Sequence, residues 1–169
     1  VSRGAGQLKQ SVTDSSFYTW TKFYKQGADA VNNIVSYYTK GSLIALWLDL
    51  TIRHKSAGRY SLDTLMRELW VHFGRTGQGT TEDDFINIAN ILCSTEEGKV
   101  DISSDFKHLL YSIDVIDLHK ELNTFGVLWS QNKFAAPNSL VTTNSSTYQA
   151  YFGAHYQNTE GGLKITQVL

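Results

Sequence analysis

One stretch, SYYTKGSLIALWLDLTIR, constrains the fold more than any other part of this chain. Read as a helix from Ser36 to about His54, it carries apolar side chains around most of its circumference: Leu43, Ile44, Leu46, Trp47, Leu48, Leu50 and Ile52. A helix that is apolar on nearly every side must be surrounded by other elements. The apolar run is interrupted by Asp49 and is about half as long as a membrane span. We therefore expect the central helix of a soluble, mainly α domain.

Amphipathic patterns on both sides of this stretch predict the helices that surround it. They run through FYTWTKFYK, LDTLMRELWVHF, EDDFINIANIL, SSDFKHLLYS and DLHKELNTFG. Asp14 or Ser15 can cap the first of them, Ser61 opens the second, and Gly126 stops the last. Residues 27–33 are predicted to form a loop.

Beyond Phe125 the pattern changes from helical to strand-like. VLWSQNKF, AYFGAHY and LKITQVL are typical of strands, whereas APNSLVTTNSSTYQ is polar and loop-like. The sequence therefore predicts a multi-helix unit over residues 1–125 and a short β segment over residues 126–169.

Composition excludes several function classes. Fifteen Lys and Arg residues against sixteen Asp and Glu residues give a net charge of −1, so neither nucleic acid nor a membrane is an expected partner. The single Cys93 lies at helical spacing and is predicted to be a buried, inert thiol. The first residue is Val1 and no charged-then-apolar leader precedes the first amphipathic segment, so no signal peptide is visible. The compartment is left open, with the cytoplasm favoured, because the true N-terminus is not expected to be present.

The common catalytic and metal-binding motifs are missing from the sequence. It contains no H-E-x-x-H, no G-x-S-x-G and no phosphate-binding glycine loop. The histidines lack the i, i+4 spacing that puts two imidazoles on one helix face: His54, His72, His108, His119 and His155. Asp83 and Asp84 fit the first turn of a helix, and Asp49, among leucines, is predicted to need a structural partner.

The segment S-Y-Y-T-K-G at residues 36–41, followed by an apolar helix, resembles the Tyr-x-Lys-Gly segment of the gluzincin zinc peptidases. In a wider context QSVTDSSFYTWTKFY, SYYTKGSLIALWLDLTIR, SLDTLMRELW, TEDDF and LHKELNTFG resemble, in order, the region downstream of the zinc site in the glycyl aminopeptidase family. GAHYQNTEGGLKITQVL is similar to the opening of the PDZ domain that follows in that family. Thr39 stands where the aminopeptidase N version of the motif has Glu.

The resemblance implies a role for one residue, Tyr38, which matches the gluzincin tyrosine. A neutral phenol there would donate a hydrogen bond to the oxyanion that forms when water attacks a peptide carbonyl. Tyr37 is expected in the core, and Lys40 is expected to serve structure through an ion pair or a carbonyl contact. The resemblance also implies a thermolysin-like C-terminal helical half without a cofactor, because the zinc ligands of the parent protein lie upstream.

Three functional interpretations follow. In the first, the chain is part of a zinc aminopeptidase acting on peptides, is inactive alone, and has the zinc-bearing upstream part of the same protein as its partner. In the second, it is a non-enzymatic helical scaffold or peptide-interaction module with a β edge. In the third, it is one chain of a proteolytically nicked enzyme.

Overall fold

This computed structural model describes residues 4–96, 98–129 and 153–168. Within them the chain forms seven α-helices and one antiparallel pair of strands, joined by short 3-10 and π-helical turns and irregular segments. The helices are α1 (Val12–Phe17), α2 (Ala30–Asn33), α3 (Tyr37–Lys55), α4 (Leu62–His72), α5 (Glu82–Cys93), α6 (Ser103–Tyr111) and α7 (His119–Thr124), and the strands are β1 (Ala154–Thr159) and β2 (Gly162–Val168). The predicted mainly α fold with a short β segment is confirmed.

Helix α3 lies at the centre of the helical unit, as its apolar circumference predicts. It contacts α1, α4, α5, α6 and α7. Its buried side chains Ile44, Trp47, Leu48 and Ile52 form the middle of the hydrophobic core. Among the described helices, none is both long enough and apolar enough to cross a membrane.

Polar side chains begin the longer helices where the sequence places them. The Ser36 hydroxyl accepts a hydrogen bond from the backbone N–H of Thr39, at 3.2 Å, and starts α3. Ser61 forms a capping box with Thr64 at the start of α4. These caps satisfy backbone donors that have no partner inside a helix.

The N-terminal region differs from the prediction in two places. Helix α1 is capped by Ser11, whose hydroxyl accepts from the N–H of Asp14 at 3.0 Å, rather than by Asp14 or Ser15. It ends at Phe17, and a π-helical turn follows at Thr19–Phe23. The stretch predicted as a loop contains the single-turn helix α2, which is too short to show a helical period.

Two glycines allow the N-terminal segment to pack closely against α2 and the residues after it. A Cβ atom on Gly4 would lie 2.2 Å from the carbonyl oxygen of Val31, and one on Gly6 would lie 2.3 Å from that of Ile34. Such distances are far below van der Waals contact, so only glycine fits without a backbone shift. This packing fixes the chain just before α3 begins.

The β segment is a hairpin of β1 and β2. Ala154 pairs with Val168 and Thr159 with Gly162, and the register shifts between His155 and Tyr156. Of the predicted strand VLWSQNKF, residues 127–129 have no regular structure and the rest lies outside the described residues. The division at residue 125 stays a prediction.

Asp49, the carboxylate among leucines, has the structural partners that the sequence predicts. Its two oxygens accept hydrogen bonds from the backbone N–H of Leu62 and from Nε of Arg53, both at 2.8 Å. The first of these contacts ties the start of α4 to the middle of α3. Asp49 therefore joins two helices rather than serving chemistry.

We expect Asp49→Ala to lower the free energy of unfolding by about 1–2 kcal/mol, because the N–H of Leu62 loses its acceptor. Urea unfolding of the variant and of Asp49→Asn measures the effect. Asn keeps an acceptor oxygen, so its loss should be about half as large. Equal stability of Asp49→Ala and the unchanged protein would show that this contact does not hold α4.

Candidate active site

Three tyrosine hydroxyls meet at the N-terminal end of α3. The hydroxyl oxygen of Tyr24 lies 3.0 Å from that of Tyr38 and 3.3 Å from that of Tyr37. Both distances are within hydrogen-bond range. The rings of Tyr37 and Tyr38 stack with their centroids 4.3 Å apart. We call these three residues the phenol cluster.

The two adjacent tyrosines of α3 have different surroundings. Tyr38 is 60% exposed, so most of this residue lies at the surface. Tyr37 is half-buried and packs against the hydrophobic core, so it lies beside the core rather than in it. Tyr38 therefore lies at the surface, and its ring stacks on the ring of Tyr37, which packs against the core.

Hydrogen bonds within the phenol cluster change the acidity of its members. The pKa of Tyr38 is lowered, chiefly by the hydrogen bond from Tyr24 and then by that from Tyr37, because these bonds stabilise the phenolate. The pKa of Tyr37 is raised, chiefly by its hydrogen bond with Tyr24 and then by that with Tyr38. The exposed phenol is therefore the more acidic of the two on α3.

Two members of the phenol cluster, Tyr24 and Tyr38, also belong to a larger set of exposed aromatic side chains. We define this set, the aromatic surface, by its five exposed members: Phe17, Tyr18, Trp20, Tyr24 and Tyr38. Phe17 is 81% exposed and Trp20 is 78% exposed. Large clusters of exposed apolar side chains often mark sites where another protein or a ligand binds.

The π-helical turn at Thr19–Phe23 places Tyr24 in the cluster. The backbone N–H of Tyr24 donates to the carbonyl of Thr19 at 2.9 Å, which closes the wider turn. The Phe23 ring packs edge-on against Tyr37, with centroids 4.9 Å apart. Single π-turns occur often at functional sites.

Lys40, two residues beyond Tyr38, faces the protein interior. It is 7% exposed, and its ammonium donates a hydrogen bond to the carbonyl oxygen of Ser112 at 3.2 Å. Burial lowers its pKa, while Asp114 acts in the opposite direction. The predicted carbonyl contact is confirmed.

An apolar groove of about 320 Å³ runs beside the first turns of α3. Its lining is mostly aliphatic and includes Leu43, Leu46, Val115, Ile116, Leu118 and Leu122. Ser36 and Thr39 lie on its wall, so the groove and the phenol cluster share the first turn of α3.

The described residues do not fit a zinc ion. No group of three or more His, Cys, Asp or Glu side chains that could hold a metal occurs in residues 4–96, 98–129 and 153–168. Structural zinc needs four such ligands and catalytic zinc three. The described part of this chain thus offers a phenol, but no metal centre to accompany it.

The remaining candidate residues have structural surroundings. Asp84 forms a capping box with Thr81 at the start of α5, and Asp83 pairs with Lys107 at 3.0 Å. Cys93 is fully buried, and burial raises the pKa of its thiol to about 11, so it is protonated and unreactive at neutral pH. These three predictions are confirmed.

Tyr24 is the residue of this site that the sequence did not identify. It lies 14 residues before Tyr38 and belongs to the aromatic run FYTWTKFYK, which predicts only a packing stripe. Its place depends on the π-helical turn and on a contact between two elements. The signal in the sequence that could have pointed to Tyr24 is the number of tyrosines close to the S-Y-Y segment.

Comparison with known proteins gives two matches. The family model described as M61 glycyl aminopeptidase matches residues 1–44. The chain is 42% identical in sequence to an aminopeptidase N family protein from Idiomarina loihiensis, and the TM-score between its fold and the crystal structure of that protein is 0.78. The match covers 99% of this chain and 28% of that protein, so this chain spans little more than a quarter of its length. No curated protein sequence matches.

Proposed function

Because this chain belongs to the M61 glycyl aminopeptidase family, we propose that its parent protein is a zinc-dependent aminopeptidase that removes N-terminal residues of the glycyl type from peptides. In this proposal the 169 residues supply the transition-state tyrosine, Tyr38. The zinc ligands belong to the upstream part of the same protein. The chain alone is inactive.

The observation that supports this role is the exposed position of Tyr38 in the first turn of α3. When a nucleophile attacks a peptide carbonyl, negative charge develops on the carbonyl oxygen. A neutral phenol can donate a hydrogen bond to that oxygen, and such donors act mainly in the transition state. The zinc, once held by the upstream part, would supply the activated water.

The aromatic surface is an argument for a large partner that packs beside Tyr38. Phe17 and Trp20 are exposed here although they are large and apolar. The related protein from Idiomarina loihiensis has about 72% of its length outside the match. We therefore infer that the zinc-bearing part of the parent protein packs on this surface and closes the site around Tyr38.

The hairpin of β1 and β2 supports a truncated PDZ-like module. Leu163, Ile165 and Val168 are all more than half exposed. A two-stranded hairpin of this kind is marginal by itself and needs further strands or a helix to cover its apolar face. In the proposal, the rest of the PDZ domain provides that cover.

The test compares the full-length protein with the 169-residue chain. We expect the full-length protein to retain zinc after dialysis and to hydrolyse glycyl and alanyl anilides. The isolated chain should hold no stoichiometric zinc at micromolar concentration and should show no turnover. Mixing in the separately produced upstream part tests whether activity needs both pieces.

Two outcomes would overturn the proposal. Turnover by the isolated chain, retained through purification, would show that these 169 residues are sufficient for catalysis. A zinc-free, inactive full-length protein that binds peptides would favour the scaffold instead. Intact-mass analysis of a native preparation distinguishes a nicked enzyme from a continuous chain.

A further inference from the structure

The phenol cluster contains one residue whose role is not assigned by the match to the gluzincin motif. We propose that Tyr24 is a positioning residue for Tyr38, holding its hydroxyl in the direction from which it donates to the substrate oxygen. This role rests on the proposed function of Tyr38. Tyr24 itself touches no reacting atom in this proposal.

The three hydroxyls form a chain of hydrogen bonds. Tyr37 packs against the core. The hydroxyl oxygen of Tyr24 lies 3.3 Å from that of Tyr37 and 3.0 Å from that of Tyr38. The hydroxyl of Tyr24 therefore bridges a half-buried phenol and an exposed one. Tyr38 gains an orientation that an exposed side chain would otherwise lack.

The ring of Tyr24 is held by aromatic neighbours on its own segment. Phe23 packs edge-on against it, with centroids 5.5 Å apart and an interplanar angle of 80°. The Trp20 ring lies 5.2 Å from it on centroid distance. Such contacts limit ring motion, so the hydroxyl of Tyr24 is a defined partner for Tyr38.

Orientation matters because a donor accelerates the reaction only when it is aimed at the oxygen that gains charge. The same hydrogen bond lowers the pKa of Tyr38, and a more acidic phenol is a stronger donor. Two cations close to the phenol cluster in sequence have partners outside it. Lys22 lies over the Tyr18 ring at 4.2 Å, and Lys40 points to the carbonyl of Ser112.

The experiment is a double-mutant cycle in the full-length, zinc-loaded protein, with Tyr24→Phe, Tyr38→Phe and the double variant. Phe keeps the ring contacts and removes only the hydroxyl. We expect Tyr24→Phe to lower kcat about five- to tenfold with little change in KM, the effect of one lost neutral hydrogen bond. In the Tyr38→Phe background the same change should have no effect on kcat.

The pH dependence of kcat distinguishes a positioning role of Tyr24 from a merely structural one, which would leave that dependence unchanged. Tyr38 must be protonated to donate, so kcat falls as the pH rises through its pKa. Removing the Tyr24 hydroxyl removes the bond that lowers this pKa, so the alkaline limb of kcat should move to higher pH. Tyr60→Phe, at the loop between α3 and α4, is the matched control and should leave kcat and the limb unchanged.

The outcomes separate the two proposals. If Tyr24→Phe lowers kcat by the same factor with and without the Tyr38 hydroxyl, Tyr24 does not act through Tyr38 and the positioning role is wrong. If Tyr24→Phe changes neither kcat nor the alkaline limb of its pH dependence, the positioning role is also wrong. If Tyr38→Phe alone leaves kcat unchanged, the proposed role of Tyr38 fails first.

Discussion

Tyr38→Phe in the full-length protein is expected to lower kcat for glycyl and alanyl substrates by about 10²–10³-fold, the usual effect of removing one oxyanion donor. KM should change little, because the hydrogen bond strengthens only as charge develops on the carbonyl oxygen. The substitution keeps the ring, and Tyr38 is a largely exposed residue, so folding should be preserved. Steady-state kinetics with matched zinc content measure the effect.

Tyr60→Phe is a suitable control for this experiment. It removes a hydroxyl from a tyrosine that belongs neither to the phenol cluster nor to the aromatic surface. Its kcat should stay within about twofold of the unchanged protein, the scatter typical of surface substitutions. Unchanged turnover in Tyr38→Phe, with zinc still bound, would remove Tyr38 from the mechanism.

Leu48→Ala is expected to lower the free energy of unfolding by about 2–5 kcal/mol, because it removes buried methyl groups and leaves a cavity in the core. Leu48 is 1% exposed and lies in the middle of α3, the helix that contacts five others. Such a loss is a large fraction of the stability of a single domain. Urea unfolding of the 169-residue chain, followed by circular dichroism, measures it.

Leu46→Ala, two residues earlier on the same helix, is the matched comparison. Leu46 is 40% exposed, so its loss should be below about 1 kcal/mol. Similar losses for the two leucines would mean that the side of α3 that carries Leu48 is no better packed than the exposed side that carries Leu46. The central position of this helix in the fold would then be wrong.

The fold could be predicted from the sequence where side-chain patterns are long and local. The apolar circumference of α3, its Ser36 cap and the need of Asp49 for a partner follow from residues close together in sequence. The cap at Ser11 was missed because the hydroxyl-rich run at the start of α1 offers several caps. A single turn such as α2 carries no period to read.

The candidate site was predictable only in part, for a physical reason. Tyr38 was identified through the resemblance of its segment to a known motif, because periodicity alone cannot distinguish a catalytic phenol from a packing one. Tyr24 reaches the cluster through a π-helical turn and a contact across 14 residues of chain. Neither feature has a local sequence pattern.

The most direct test of the central claim is a crystal structure of the full-length protein with a tetrahedral phosphinic peptide analogue. The phosphinic oxygen stands in for the oxyanion of the attacked carbonyl. We expect the hydroxyl of Tyr38 to lie about 2.7–3.1 Å from that oxygen, with the aromatic surface covered by the upstream part of the protein. A Tyr38 hydroxyl turned away from the bound analogue, in a structure where another group donates to that oxygen, would contradict the claim.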